Sequence, residues 1–256
     1  MKKYILLLFA SFFLSSVFGQ EKKQAFKSGE WLRYKMSYSG WLRAGTTILE
    51  LEETVYNGKK VFHAKGSGWT SGPIKWFYKV DDVYESYFDK DSIKPYLFKR
   101  KTDEVGYKKH RITNFNYTSK KAYIQDFTQQ TDTSVAFTNV QDLMSSFYYL
   151  RNQKVDHLKI GDEIAIDMFL DSQVYPFKLR FLGREVLSTK FGKIKSLIFR
   201  PLVQSGRVFK EEESVTLWIT DDENKIPIKM KASLSVGSLR AELEDYKGLV
   251  NLKSIQ

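Results

Sequence analysis

Three histidines and two pairs of neighbouring aspartates are the side chains in this sequence whose chemistry could support catalysis or metal binding. His63, His110 and His157 are far apart in the sequence, whereas a zinc site is usually indicated by two histidines at short spacing with a carboxylate. The Asp-Asp pairs at 81–82 and 221–222 fall in predicted turns, where aspartate caps its own backbone. Neighbouring residues of a strand also point to opposite faces. We therefore predict no catalytic residue and no metal site.

Other signatures of enzymatic chemistry are absent from the sequence. It contains no Gly-x-Ser-x-Gly nucleophile elbow, no phosphate-binding loop and no dinucleotide fingerprint, so we predict no cofactor. It contains no cysteine, which excludes a thiol nucleophile, a disulfide scaffold and cysteine metal ligands. The core must therefore hold the fold without covalent crosslinks.

Two basic clusters lie on consecutive predicted strands, one on each side of a single turn. Their pairing would bring several cations together beside tyrosine and phenylalanine side chains. One hypothesis is a surface that contacts anionic head groups or an acidic glycan; the alternative is a solvated face. The residues of this candidate surface are Lys99, Arg100, Lys101, Lys108, Lys109 and Arg111.

Aromatic residues are abundant, with 19 Phe, 15 Tyr and 5 Trp. A large core accounts for most of them, and an apolar cavity between a helix and a sheet would account for the excess. The predicted ligand-binding residues are Met144, Phe147 and Tyr148 on the helix, with Trp76 and Tyr78 opposite.

The helix that would carry this site is predicted within residues 138–152, a segment of helical periodicity among strand-like segments. Its apolar residues recur at helical spacing, and Thr138 or Asn139 is the expected N-terminal cap. A lone helix among strands must pack its apolar stripe on a sheet face. The stripe consists of Val140, Leu143, Met144, Phe147 and Leu150.

About a dozen segments alternate apolar and polar residues, as strands do. Asn57-Gly58 predicts a tight hairpin, and Pro176 predicts an edge or a bulge in its strand. Residues 74–80 read as strand-like, and residues 129–139 read as polar and irregular. The predicted fold is mainly β: a large curved antiparallel sheet, or two fused half-barrels, with one short amphipathic helix.

The N-terminus has the pattern of a signal peptide: Lys2 and Lys3 precede an apolar run too short to span a bilayer. We predict cleavage after Gly19, and an uncleaved N-terminal anchor is the alternative. Residues 20–28 would form a leader. Residues 29–250 would form one exported β domain, with possible sub-lobes at 29–137 and 154–250 joined by a helix at 139–152.

The chain is basic, with a net charge of +11, and removing Lys2 and Lys3 leaves 39 basic against 30 acidic residues, or +9. Export argues against nucleic acid as a partner. The charge then reflects either lysines that keep sheet edges from aggregating or a surface that faces anionic lipid. No segment of the mature chain is predicted to span a membrane.

Short motifs spread over residues 29–247 resemble a family of exported bacterial proteins, domain of unknown function 3108. Their order and spacing carry the resemblance, which implies no activity. The architecture is similar to that of periplasmic carriers of lipoproteins and lipids, whose curved sheet closes around acyl chains. The motifs are Gly29-Glu30-x-Leu32-x-Tyr34 with Ala44-Gly45, Gln141-Asp142-Leu143 with Tyr149-Leu150-Arg151, Leu182-Gly183-Arg184-Glu185, and Leu217-Trp218-Ile219 with Asp221-Asp222 and Ile226-Pro227.

Three functions remain open from the sequence. The first is a non-enzymatic protein of the periplasm or envelope that binds an apolar or amphiphilic ligand, such as a lipid, or an envelope protein. The second is a hydrolase or lyase acting on an envelope polymer, which needs carboxylates or a histidine converging in a cleft. The third is a structural partner in envelope assembly, which would expose a large apolar patch.

Overall fold

The computed structural model of the chain describes residues 24–202, 215–234 and 236–251; the predicted signal peptide, residues 1–19, lies outside them. Within these residues one antiparallel sheet of fourteen strands accompanies two helices, which confirms the predicted fold class. The elements in chain order are β1 Glu30–Tyr38, β2 Leu42–Tyr56, β3 Lys59–Thr70, α1 Ile74–Phe77, β4 Val80–Asp89, β5 Pro95–Glu104, β6 Tyr107–Asn116, β7 Lys121–Asp126, β8 Thr131–Ala136, α2 Leu143–Arg151, β9 Glu163–Leu170, β10 Gln173–Thr189, β11 Gly192–Leu202, β12 Val215–Thr220, β13 Pro227–Ser233 and β14 Ser238–Lys247.

The sheet joins the two halves of the chain at its centre. The strand order is β8-β7-β6-β5-β4-β3-β2-β1-β14-β13-β12-β11-β10-β9, so each half is a meander and the first and last strands pair. The predicted hairpin at Asn57-Gly58 is present, with φ of 49° and 77°, the positive values that such a turn requires. Pro176 pairs with Asp167 of β9, outside the part of β10 that pairs with β11, as an edge position allows.

The sheet curls until one edge approaches the other: β9, the last strand in the sheet order, reaches β6, the third strand from the opposite edge. Phe169 of β9 packs against Phe115 of β6, with ring centroids 5.3 Å apart. The edge of β9 is covered by Gln141, whose backbone exchanges hydrogen bonds of 2.8 Å with Asp167 and Phe169. The segment before α2 therefore closes part of the gap that the curved sheet leaves, and it pairs backbone groups that an edge strand would otherwise expose.

Two segments differ from the sequence prediction. Residues 74–77, predicted as strand-like, form the single-turn helix α1, because Pro73 at its N-cap holds helical dihedral angles (φ −61°, ψ −29°). Residues 131–136, within a segment predicted as irregular, form β8, which pairs with β7 along its full length. β8 is an edge strand, so its exposed polar side chains carry no hydrophobic alternation.

The N-cap of helix α2 lies three to four residues after the predicted cap, Thr138 or Asn139. Asp142 is the N-cap: its Oδ1 accepts hydrogen bonds from the backbone amides of Met144 at 2.9 Å and Ser145 at 2.8 Å, and Ser145 Oγ accepts from the Asp142 amide. Ser86 donates to the other carboxylate oxygen at 2.5 Å. Thr138 and Asn139 do not cap it, because residues 140–141 must stay extended to reach β9.

Helix α2 contributes to all three hydrophobic clusters of the described residues. Met144 and Tyr148 belong to the cluster of the first half, Phe147 packs against that cluster and the one around β1 and β14, and Leu150 packs against the third. Phe26, in the predicted leader, is also buried and packs edge-on against Tyr148. The helix is thus the shared core of the curved sheet.

A buried ion pair fixes the C-terminal end of α2 to the first strand. Arg151 and Glu30 have almost no exposed side-chain surface and form two parallel hydrogen bonds of 2.6 and 2.7 Å. Arg151 also donates to the carbonyls of Asn224 and Ala25, each at 3.0 Å. Burial by itself would lower the pKa of Arg151, but the charge and hydrogen bonds of Glu30 outweigh it and raise that pKa.

The change Arg151→Met leaves the Glu30 carboxylate buried without its partner. Because an unpaired buried charge is strongly unfavourable, we expect the free energy of unfolding to fall by about 3–5 kcal/mol in chemical denaturation. The double change Arg151→Met with Glu30→Met should cost less than the sum of the single changes. The control is Arg180→Met, whose pair with Glu163 is solvent-exposed and should be worth about 0–1 kcal/mol. Equal losses in the two arginine variants would contradict this role.

Candidate functional site

An apolar pocket of about 550 Å³ lies between α2 and the inner face of the first four strands. Met144 and Phe147 of the helix form one side, Leu49 and Tyr84 lie on the sheet side, and Tyr78 lies next to α1. A pocket of this size with few polar groups is typical of a small-molecule site. Its other lining residues are Met36, Tyr38, Ala44, Gly45, Thr46, Thr47, Gly66, Ser67, Gly68, Trp69, Thr70, Ile74, Val80, Asp82, Leu143 and Leu239.

Glycines on the sheet side make room for the helix and for the pocket. A Cβ atom on Gly66 would lie 3.0 Å from the sulfur of Met144, so α2 can approach β3 this closely only over a residue without a side chain. A Cβ atom on Gly68 would instead meet only Thr47 Oγ1, at 3.5 Å. Gly68 therefore borders open space, and its missing side chain is part of the pocket volume.

The structure brings together three of the five predicted ligand-binding residues. Met144, Phe147 and Tyr78 line the pocket. Tyr148 is completely buried on the other side of the helix, against Phe26. Trp76 is 85% exposed on α1 and does not line the pocket. Helical periodicity could not tell which of Phe147 and Tyr148 faces the pocket and which faces the core, because both faces of α2 are covered by protein.

The pocket has one acidic side chain in its lining, Asp82. Its carboxyl group forms a hydrogen bond with the side chain of Glu104, and its Oδ1 accepts the Asp103 amide at 3.2 Å. Burial and the contact with Glu104 raise the pKa of Asp82 to about 6, against the opposing effect of Arg100. Sequence reasoning assigned the 81–82 pair to a turn, but both residues lie in β4, so only Asp82 faces inward.

Charged residues continue along the inner face beside Asp82. Burial raises the pKa of Tyr84 to about 12, and the guanidinium of Arg100 stacks over its ring at 5.7 Å. Arg100 also contacts Asp171, in the turn between β9 and β10, at 2.6 Å. The apolar pocket is therefore bordered on one side by a charged strip in which opposite charges are paired.

The predicted anion-binding surface is divided between the two faces of the sheet. Arg100, Lys109 and Arg111 lie on the inner face, where each contacts Asp171. Lys99, Lys101 and Lys108 alternate with them in sequence and lie on the outer face, because successive strand residues point to opposite sides. Each inner cation therefore has a carboxylate partner within the protein, since Arg111 also pairs with Asp126 at 2.5 Å.

The histidines are not gathered into a site. His63 forms a 2.9 Å contact with Glu85 and stacks on Tyr87, and His110 stacks on Phe127 on the outer face. Among the residues that the structure describes, no three side chains of His, Cys, Asp or Glu are grouped so as to hold a metal ion.

A second cavity, of about 340 Å³, lies between β10 and strands β1, β13 and β14. Its wall includes Lys35, Lys229 and Glu242, and both lysines form ion pairs with Glu242, at 3.4 and 3.9 Å. Because charged and polar side chains make up most of its lining, it offers a ligand less apolar surface than the pocket beside α2.

Residues of the sequence motifs form contacts that stabilise the fold. Glu30 and Arg151 form the buried ion pair, and Asp142 caps α2. In the second half, Arg184 contacts Asp221 at 3.2 Å, while the adjacent Glu185 accepts a hydrogen bond from the Trp218 indole. Sequence reasoning recorded these residues as motifs and missed their structural roles.

The model of a protein family described as "Protein of unknown function (DUF3108)" matches residues 33–244. The chain belongs to this family. The match confirms the predicted resemblance. Among curated proteins, none is significantly similar in sequence.

A solved structure similar to this family member shares its fold at very low sequence identity. A β-barrel-like protein of domain of unknown function DUF1849 from Brucella abortus has a TM-score of 0.58 and 10% identity, with 88% of this chain and 99% of that chain covered. This similarity shows a shared β-barrel-like fold. Weaker matches are a putative lipoprotein from Parabacteroides distasonis (TM-score 0.34, 9% identity, 89% and 100% covered) and a putative exported protein with a YmcC-like fold from Bacteroides fragilis (0.32, 6%, 87% and 97%).

Within the described part of this DUF3108 member, neither helix combines the length and the apolar character needed to cross a bilayer.

The change Asp82→Asn should stabilise the protein at neutral pH. The pKa of Asp82 is raised to about 6 in the folded state from an ordinary 3.8, so folding disfavours its ionised form, and the cost grows as pH rises through that interval. We expect the free energy of unfolding of the variant to exceed that of the wild type by about 1 kcal/mol at pH 7.5; the gain is kept small because solvent screens part of the effect. Near pH 4 the two proteins should be equally stable. Thermal denaturation across this range measures the difference.

The control for this prediction is Glu163→Gln. Hydrogen bonds from Lys178 and Arg180 lower the pKa of Glu163, so removing its charge should not stabilise the protein at neutral pH. A pH-independent difference between Asp82→Asn and the wild type would show that Asp82 is not the titrating group.

Proposed function

We propose that this protein is a non-enzymatic carrier or receptor that binds an amphiphilic small molecule in the pocket between α2 and the sheet. The observation that carries the proposal is the apolar lining: Met144, Phe147 and Leu49 face an opening of about 550 Å³. Burial of apolar ligand surface against such a wall is favourable by about 25 cal/mol per Å². A ligand with an alkyl or aromatic portion is therefore the class that the pocket fits.

The border of the pocket supports an amphiphile over a purely apolar ligand. Asp82 brings a carboxyl group to the lining, and the hydroxyls of Thr70 and Tyr78 belong to the same lining. A ligand group that donates hydrogen bonds would add to the contacts that these oxygens already make, such as that of Thr70 Oγ1 with the Val80 amide at 2.9 Å. A ligand carboxylate would be repelled once Asp82 ionises, above a pH of about 6. The expected ligand thus has an apolar tail and a neutral or cationic polar end.

The proposed place of action is the cell envelope, in the periplasm or after secretion. The N-terminal sequence supports it. Lys2 and Lys3 precede a short apolar run, and small residues after that run, up to Gly19, fit cleavage after Gly19. Export of a chain without cysteine fits a fold whose core is closed by packing around α2.

A hydrolase acting on an envelope polymer remains the second candidate, on the strength of the Asp82–Glu104 contact. Two carboxyl groups meet there, and one has a raised pKa, as a general acid needs. Their direct hydrogen bond argues against the role, because glycoside hydrolases place their carboxylates about 5–9 Å apart with the scissile bond between them. Turnover of a polysaccharide that is abolished by Asp82→Asn would favour this candidate.

The change Gly68→Leu tests the binding proposal by filling the pocket from its wall. The site tolerates a Cβ atom, so the added side chain should occupy pocket volume without displacing α2. We expect binding of the apolar fluorophore N-phenyl-1-naphthylamine to weaken by about tenfold or more, because the apolar contact area is lost. Fluorescence titration of wild type and variant measures the change.

The matched control is Lys101→Leu, which adds the same side chain on the outer face of the sheet, where Lys101 is exposed. This control should bind the fluorophore as the wild type does. Binding that is absent in the wild type, or unaffected by Gly68→Leu, would contradict the assignment of the pocket as the ligand site.

A further inference from the structure

Exposed apolar side chains are concentrated at one end of the sheet. Large hydrophobic side chains with high exposure in the described residues lie in or next to the turns of that end, except for Val55, Tyr123, Ile160 and Val186. The most exposed at that end are Trp76 at 85%, Phe77 at 80%, Trp41 at 78%, Val236 at 77%, Val105 at 56% and Tyr78 at 54%.

Backbone hydrogen bonds show that the segments carrying these side chains are neighbours. The β1–β2 turn meets the β13–β14 turn through the Ser39 amide and the Ser238 carbonyl at 2.6 Å. The α1 segment meets the start of β2 through Ser71 and Ala44 at 2.9 Å. The β5–β6 turn meets the same segment through the Val105 amide and the Lys79 carbonyl at 3.0 Å. One row of linked turns therefore carries the exposed apolar groups.

The apolar pocket extends to the same end of the sheet. Trp69, Ile74 and Tyr78 belong both to the α1 region and to the pocket lining. Tyr38 and Leu239, next to the β1–β2 and β13–β14 turns, also belong to the lining. A surface that contacts these turns would lie next to this end of the pocket.

The chemistry of the turns fits the interfacial zone of a lipid bilayer. Trp and Tyr are enriched in that zone, since their rings are apolar and carry a polar group, and a chain rarely exposes so many large apolar side chains without a partner. The side chains project from separate turns and do not line a shaped groove. A deformable bilayer can accept such separate projections at once.

Charge favours a bilayer with anionic lipid. Without Lys2 and Lys3 the sequence carries +9, and Lys75 and Lys108 are exposed among the apolar turns. The acidic groups nearby are Asp81, Asp82, Asp103 and Glu104; Asp103 is paired with Lys79 at 2.8 Å, and Asp82 shares a hydrogen bond with Glu104. Basic side chains near an anionic membrane surface each add to the attraction.

We propose that this end of the sheet docks reversibly on anionic bilayers through Trp41, Trp76 and Phe77, with the adjoining end of the pocket facing the membrane. The inference deepens the proposed function: it names a membrane lipid as the source of the amphiphile and the bilayer as the surface where transfer takes place.

The test is flotation of the full mature chain with vesicles of phosphatidylethanolamine and phosphatidylglycerol at 7:3, compared with vesicles of phosphatidylcholine alone. We expect the protein to bind the vesicles that contain phosphatidylglycerol, with binding that weakens at 0.5 M salt. Binding to the phosphatidylcholine vesicles should be weaker. The double change Trp76→Ser with Phe77→Ser should lower partitioning to the anionic vesicles by about tenfold or more, because two large apolar side chains no longer insert. The control Val55→Ser with Val186→Ser removes exposed apolar groups elsewhere and should leave partitioning unchanged.

Fluorophore binding without vesicles separates this inference from the proposed function. Trp76 and Phe77 do not line the pocket, so their double variant should bind N-phenyl-1-naphthylamine like the wild type. Loss of vesicle binding with fluorophore binding retained supports the docking surface. If the wild type binds the fluorophore but binds neither type of vesicle, the docking inference is wrong and the proposed function still stands. The docking inference is also wrong if the Val55/Val186 control loses as much vesicle binding as the Trp76/Phe77 variant. A stable dimer that the Trp76/Phe77 variant abolishes, without vesicle binding, would assign the surface to a second copy of the chain.

Discussion

The position of α2 inside the curved sheet is the constraint on which the rest of the structure depends. Two polar anchors hold the helix: Asp142 at its start and the Arg151–Glu30 pair at its end. Each anchor is buried, so its charged groups must find all their hydrogen-bond partners within the protein. Removing one partner of such a buried group costs the protein far more stability than breaking an exposed pair. The helix is thereby restricted to one register against the strands, which apolar contacts alone do not specify.

The pocket is a consequence of that restriction. With α2 fixed over Gly66, the neighbouring positions of the pocket lining on the sheet carry small residues such as Gly68 and Thr47. A helix free to settle deeper would close this space, because packed interiors leave few voids. The anchors therefore maintain an apolar opening next to a core in which Tyr148 and Phe26 are tightly packed.

The strands were predictable because their physics is local. Alternation set most of the strand positions, and Asn57-Gly58 set a hairpin through the positive φ that both residues adopt. Two of the errors also have local causes. Pro73 turns residues 74–77 into a helical turn, and the polar edge strand β8 lacks the apolar alternation by which strands are recognised. The third error, the position of the helix cap, has a non-local cause, because Gln141 pairs with Met168 of β9.

The sequence by itself determined the β class of the fold, the existence of a single substantial amphipathic helix and the aromatic excess, because side-chain period and composition reflect interactions between near neighbours. Only the tertiary structure decided which aromatic side chains meet. It placed Phe147 and Tyr78 at a pocket, sent Tyr148 into the core and Trp76 to the surface, and divided the basic clusters between the two faces of the sheet. These outcomes depend on sheet curvature and on pairs such as Arg151 with Glu30 and Arg100 with Asp171, whose members are 121 and 71 residues apart. No local pattern in the sequence encodes such contacts.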